Sequence, residues 1–180
     1  MQTFDNLYQQ LINWHKTKHN FSATNVPSPL SESALTELTN NILLPLSEKF
    51  GAITITYGFT SPALSRFIQR NNSAGTAPGL DQHASCEQNS KGSTICKRAG
   101  AACDFWVQGF ELNMHEVALH ICQHLPFDKL YFYGRHRPIH VSVASQSLRH
   151  LQVMQKSQSG RRIPGKKAFG DKAIVLAKEL

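Results

Sequence analysis

The apolar residues of this chain switch between a helical and a strand period several times, at irregular intervals, and this narrows the folds open to it. Between residues 4 and 18, Phe4, Leu7, Tyr8, Leu11, Ile12 and Trp14 recur every three or four positions, which predicts an amphipathic helix. A loop with Pro27 and Pro29 follows. Ser31 is then expected to cap a second helix with a stripe of Leu35, Leu38, Ile42, Leu43 and Leu46, ending at Gly51. Pro45 inside that pattern predicts a kink. Residues 52–57 alternate with β-branched side chains and read as a strand, and Gly58 and Pro62 frame a turn into a short helix, 62–70. Residues 71–99 are rich in Asn, Ser, Gly, Thr and Lys and read as a long loop, a length that is usually functional or disordered. Beyond it, 101–107 is predicted as a buried strand, and Asn113 opens a helix to about Leu125. Strands at 129–133 and 138–144 follow, joined by a tight 134–137 segment. Three or four strands between helices of unequal size point to an α+β fold, a small and mainly antiparallel sheet packed with helices, rather than an alternating doubly wound sheet.

At 180 residues the chain suits one domain that buries a core without metal or disulfide staples. It divides into an N-terminal helix and linker (1–30), a central domain (31–148) and a basic tail (149–180). The tail holds eight Lys/Arg against Asp171 and Glu179, a net +6 of the chain's +7. Within it, Arg161, Arg162, Lys166 and Lys167 are interspersed with Gly160, Pro164, Gly165 and Gly170, the composition of a flexible basic arm able to neutralise the phosphates of nucleic acid or another anionic polymer. No apolar run approaches the ~20 residues that span a bilayer. The first residues lack a basic region followed by an apolar stretch, so a cytoplasmic location is expected. Cys86, Cys96 and Cys103 cluster without the short knuckles of a zinc ribbon, leaving plain thiols, a disulfide or a second metal as readings.

Chemistry concentrates in a few of the nine histidines. His120 and His124 stand four apart on one helix, but that helix has its own apolar stripe and His120 has no Glu after it. His140 is different: it interrupts the strand Pro138-Ile-His-Val-Ser-Val143, with Ile139 and Val141 expected on the opposite face. A polar ring in such a strand needs a partner. Asp104 poses the same problem in its own strand, between Cys103 and Phe105.

An ordered set of motifs then resembles the M15-type zinc D-alanyl-D-alanine peptidases. Residues 41–66, a helix and strand leading into Gly58-Phe-Thr-Ser-Pro62, look like the family's approach to its "GYRSP" turn. Gln82-His83 is similar to its "S-x-H", Gly100-Ala-Ala-Cys-Asp104 to its "G-x-A-x-D", and Phe127-Asp-Lys-Leu130 with Ile139-His-Val-Ser142 to its closing strands. The likeness spans roughly 31–145. It implies the Hedgehog/DD-peptidase fold and zinc held by His83, Asp104 and His140. It also implies hydrolysis of an amide or peptide bond, in the family often one in peptidoglycan, by metal-activated water. The Hedgehog likeness leaves a second reading, a metal-bearing domain that binds a peptide, glycan or nucleic acid without cleaving it.

The departures are specific. Twenty residues separate His83 from Asp104, a Cys-containing insertion relative to the family pattern. Thr60 replaces the Arg that resembles a substrate-carboxylate clamp, and Asp81 replaces the small Ser before the first ligand. The general-base Glu expected before the last His is missing from Leu130-Tyr-Phe-Tyr-Gly134. His136 is the expected substitute, with Asp81 and Glu87 behind it, because an imidazole titrating near neutrality suits proton transfer.

Overall fold

The computed structural model describes residues 2–71 and 82–180. Helix α1, Phe4–Asn13, starts where the Thr3 side chain accepts the Asn6 N–H, and it continues as a 3-10 turn, Trp14–Thr17. Helix α2 spans Pro29–Leu38, capped by Ser28 and not by the expected Ser31. The Ser28 hydroxyl accepts the Ser31 N–H, and Pro29 takes a first-turn position where its missing N–H is not needed. Ser31 is buried instead and accepts the Cys86 N–H. The expected kink at Pro45 takes the form of a π turn, Thr39–Leu43, between α2 and α3 (Leu44–Phe50). The wider turn lies where the helical ladder loses the Pro45 N–H.

Then come β1 (Ile53–Tyr57), α4 (Pro62–Asn71), β2 (Ala101–Val107), α5 (Met114–His124), β3 (Lys129–Phe132) and β4 (Ile139–Val143). The chain closes with β5 (His150–Lys156), β6 (Arg162–Ala168) and α6 (Lys172–Ala177). The protein is α+β, with one six-stranded sheet of order β1-β2-β4-β3-β5-β6. Every neighbouring pair is antiparallel except β3–β5, which is parallel.

The stretch 149–180 is therefore not a flexible arm. It supplies the last two strands and a helix whose Ala173, Leu176 and Ala177 are buried. Pro164 and Gly165, which suggested breaks, lie in β6 at the end of the sheet order, where a strand tolerates a residue without an N–H. The N-terminal segment is equally integrated. Asn25 donates to the carbonyls of Ile12 and Phe59 and accepts the Ser61 N–H, while Leu7 and Leu11 are fully buried.

Strand alternation sorts the sheet into two faces. Ala101, Cys103, Phe105, Val107, Leu130, Ile139, Val141 and Leu151 join Leu7, Leu11, Leu35, Leu38, Val117, Ile121 and Ala173 in one apolar cluster. Each fully buried Leu or Phe contributes about 1.5–3 kcal/mol relative to an exposed one. The intervening strand residues, Asp104 and His140 among them, form the other face.

The described part of the predicted loop, 82–100, has local order: a 3-10 turn at Gln82–Ala84, an antiparallel bridge between Gln88 and Thr94, and a bidentate ion pair from Arg98 to Asp128. No disulfide joins the four cysteines. Among the described residues no helix is long and apolar enough to cross a membrane.

Candidate metal centre

Asp104 and His140 are direct cross-strand partners in the β2–β4 pair, which places the carboxylate beside the imidazole. His140 Nδ1 donates to Asp104 Oδ1 at 2.8 Å. His83 is brought to them by the turn that follows the undescribed segment; its Nε2 lies 3.2 Å from His140 Nδ1 and 3.4 Å from Asp104 Oδ1. One donor atom from each of the three lies within 4.8 Å of the others. Both histidines are buried and Asp104 is partly exposed.

The rings are held by what surrounds them. His83 Nδ1 donates to the Gly58 carbonyl at 3.2 Å, which fixes the tautomer and leaves Nε2 with its lone pair directed at the cluster. Gly58 accepts no larger residue: a Cβ there would meet the Leu11 carbonyl oxygen at 2.3 Å. The Tyr131 ring stacks on His140 at 4.8 Å, and Tyr57 meets His83 edge-on at 4.7 Å. Burial alone would raise the Asp104 carboxyl, but the hydrogen bond from His140 and the neighbouring His83 ring outweigh it and hold the group well below the carboxylate range.

The turn carrying His83 is tethered at its other side. Gln82 Nε2 donates to Asp128 Oδ2 and to the Val143 carbonyl, each at 3.2 Å. Asp128 is fully buried and also receives Arg98 and the Leu148 N–H. Gly100, at φ +145°, lets β2 start beneath this tether; a Cβ there would lie 1.9 Å from the Val143 oxygen.

No family model, curated protein or solved structure matches the chain.

Two imidazole nitrogens and a carboxylate oxygen are donors of the kind zinc takes at a catalytic site, so the residues fit the ion. The other expected site residues are placed differently. Thr60 is buried; its hydroxyl donates to the Gly58 carbonyl and its N–H donates to the carbonyl of His83, so it supports the site's backbone instead of facing a substrate. His136 is exposed in the β3–β4 turn, and no hydrogen bond joins it to the three donors among the described residues. Its spacing of four before His140 spans a hairpin turn, not a helical face, so sequence proximity does not bring it to the cluster. Glu87 accepts the Ser28 N–H at 2.8 Å, at the start of α2. Asp81 lies outside the described residues. In the hairpin, Arg162 donates to the Tyr133 carbonyl and sits over that ring, and Lys166 pairs with Glu179, while Arg161 and Lys167 are exposed. The tether through Gln82, Asp128 and Arg98 has no signature in the sequence beyond the Phe127-Asp128 motif, because its partners are 30 and 46 positions apart.

Proposed function

We propose that the chain is a zinc-dependent hydrolase of an amide or peptide bond, resembling the M15-type peptidases, with the ion held by His83, Asp104 and His140. The observation that carries this reading is the convergence of three donors from three separate segments, with His83 already oriented by the Gly58 carbonyl. Bound zinc supplies Lewis acidity and water acidic enough to attack a carbonyl near neutral pH. The chain's own part is to orient the two imidazoles and keep the carboxylate ionised: Asp104 keeps its charge, and Tyr131, stacked on His140, and Tyr57, edge-on to His83, fix the ring planes.

A second reading, metal binding without cleavage, is favoured by one specific feature. Glu87, the described carboxylate nearest His83 in sequence, is committed to the Ser28 N–H, and Asp128, joined to the His83 turn through Gln82, is committed to Arg98. Elemental analysis of the purified protein is expected to give one zinc per chain, lost in His83→Ala and in His140→Ala. Wild-type protein with no zinc after reconstitution removes both readings. Zinc retained without turnover of any peptide in a mixed library selects the second.

A further inference from the structure

The cluster belongs to a longer line of residues. Through the strand register, Tyr57, Asp104, His140, Tyr131, Gln152 and Lys167 are successive cross-strand partners, one from each strand, on the face opposite the apolar core. A neighbouring line runs Ala102, Ser142, Lys129 and His150, and His150 stacks on Phe169 at 4.3 Å. Asp104 is the one acid in these two lines, at the metal end; Lys129 stands one strand beyond His140, on β3, and the exposed Lys167 three strands beyond it, on β6. Both ammonium groups act on the same ring: His150 is held below its ordinary value first by burial, then by Lys129 and by Lys167, against a weaker pull from Asp128.

Spacing turns this into a substrate requirement. Three strand intervals separate His140 from Lys167, about 14 Å at the usual distance between strands. An extended peptide covers that in about four residues. The aromatic rings nearby each have a neighbour: Tyr131 stacks on His140, Arg162 sits over Tyr133 and Phe169 stacks on His150. Carboxylates spaced along an extended peptide have two cations within reach here, whereas the half-exposed ring offered for base stacking, Phe169, already has His150 on one side.

We infer that Lys129 and Lys167 hold the carboxylates of an acidic peptide, about two and about four residues respectively from the amide bond presented to the His83–Asp104–His140 cluster. The inference rests on the hydrolase reading for what happens at the cluster, but the binding step is independent of metal. The full chain, stripped of metal, is titrated with a fluorescein-labelled decapeptide of alternating Glu and Ala; a Lys/Ala decapeptide and a ten-nucleotide oligothymidine serve as comparisons. The acidic peptide is expected to bind saturably, and the double reversal K129E/K167E to weaken it about tenfold or more. K49E/K178E, the same change of charge at exposed positions in α3 and just past α6, is expected to change it less than about twofold. Circular dichroism checks that both variants are folded. No saturable binding, tighter binding of oligothymidine, or an equal loss in K49E/K178E overturns the inference. Peptide binding in a protein that takes up no zinc leaves it standing as a binding surface and removes the hydrolase reading alone; zinc uptake without peptide binding does the reverse.

Discussion

Asp128 shows how a residue outside the cluster governs it. It is fully buried, and it satisfies Arg98, Gln82 and Leu148 at once, so the carboxylate joins the His83 turn to the start of β3. Burial would raise its pKa, but the hydrogen bond and charge of Arg98, with the Leu148 N–H and Gln82, bring it below the ordinary carboxylate value. A folded-state pKa below the unfolded one means a contribution fully present above the ordinary carboxylate range and lost as pH falls through the lowered value. Asp128→Asn is expected to cost about 3 kcal/mol near neutrality, the low end for breaking a buried pair, because Arg98 retains some contact with water. Thermal melts of both proteins across pH are expected to show a gap that closes on acidification; a gap independent of pH would assign the loss to packing. Sequence alone exposed Asp104 and His140, since a charged or polar side chain flanked by β-branched and aromatic neighbours stands out in a strand. His83 had no such contrast and came only from a motif likeness, and its partner Gly58 looked like a turn residue and nothing more.

Among the elements, the central strands were legible and the last two were not. β2 and β4 alternate apolar residues without interruption, and their predicted limits fall within a residue of the observed ones. β6 reads Arg-Ile-Pro-Gly-Lys-Lys-Ala, with Pro and Gly mid-strand and charge on both faces, a pattern that belongs to a sheet margin and looks like a loop when no partner strand is known. Yet it pairs with β5 over five registered positions, and α6 packs against α5 and the same two strands. Truncation after Gln158 is therefore expected to expose the outer side of β5 and the surface beneath Ala173, Leu176 and Ala177. The melting temperature should fall by roughly 10 °C or more, or cooperative melting should vanish. An unchanged melt would mean that the hairpin and helix dock without contributing stability.

At the scale of the whole molecule, the candidate metal centre ties the 3-10 turn at Gln82–Ala84 to two central strands. An ion bound there favours the folded chain by mass action. Saturating zinc at about a hundredfold over its dissociation constant is expected to raise the melting temperature of the metal-free protein by roughly 5–10 °C. The shift should disappear in His83→Ala and be reversed by chelator. Equal stabilisation of that variant would place the ion elsewhere. The charge of residues 149–180 takes on a different meaning at this scale as well. What read as a mobile polycation is divided by the sheet: Lys167 points to the face of the cluster, and Lys166 reaches Glu179, just past α6.

The parallel β3–β5 pair has a consequence in time. β3 and β4 are joined by a short turn and can zip together as soon as they exist, whereas a parallel neighbour cannot form by hairpin closure and must find β3 from a distance. β6 in turn reaches the rest of the sheet only through β5. During refolding, pulse labelling with deuterium is expected to protect the amides of Leu130 and Val141 before those of Val153 and Ile163; simultaneous protection would mean that the sheet closes in one step. In the ordered case a chain still being synthesised would bring His83, Asp104 and His140 together while its last thirty or so residues were unborn, able to capture an ion before the surface that selects its partner had been made.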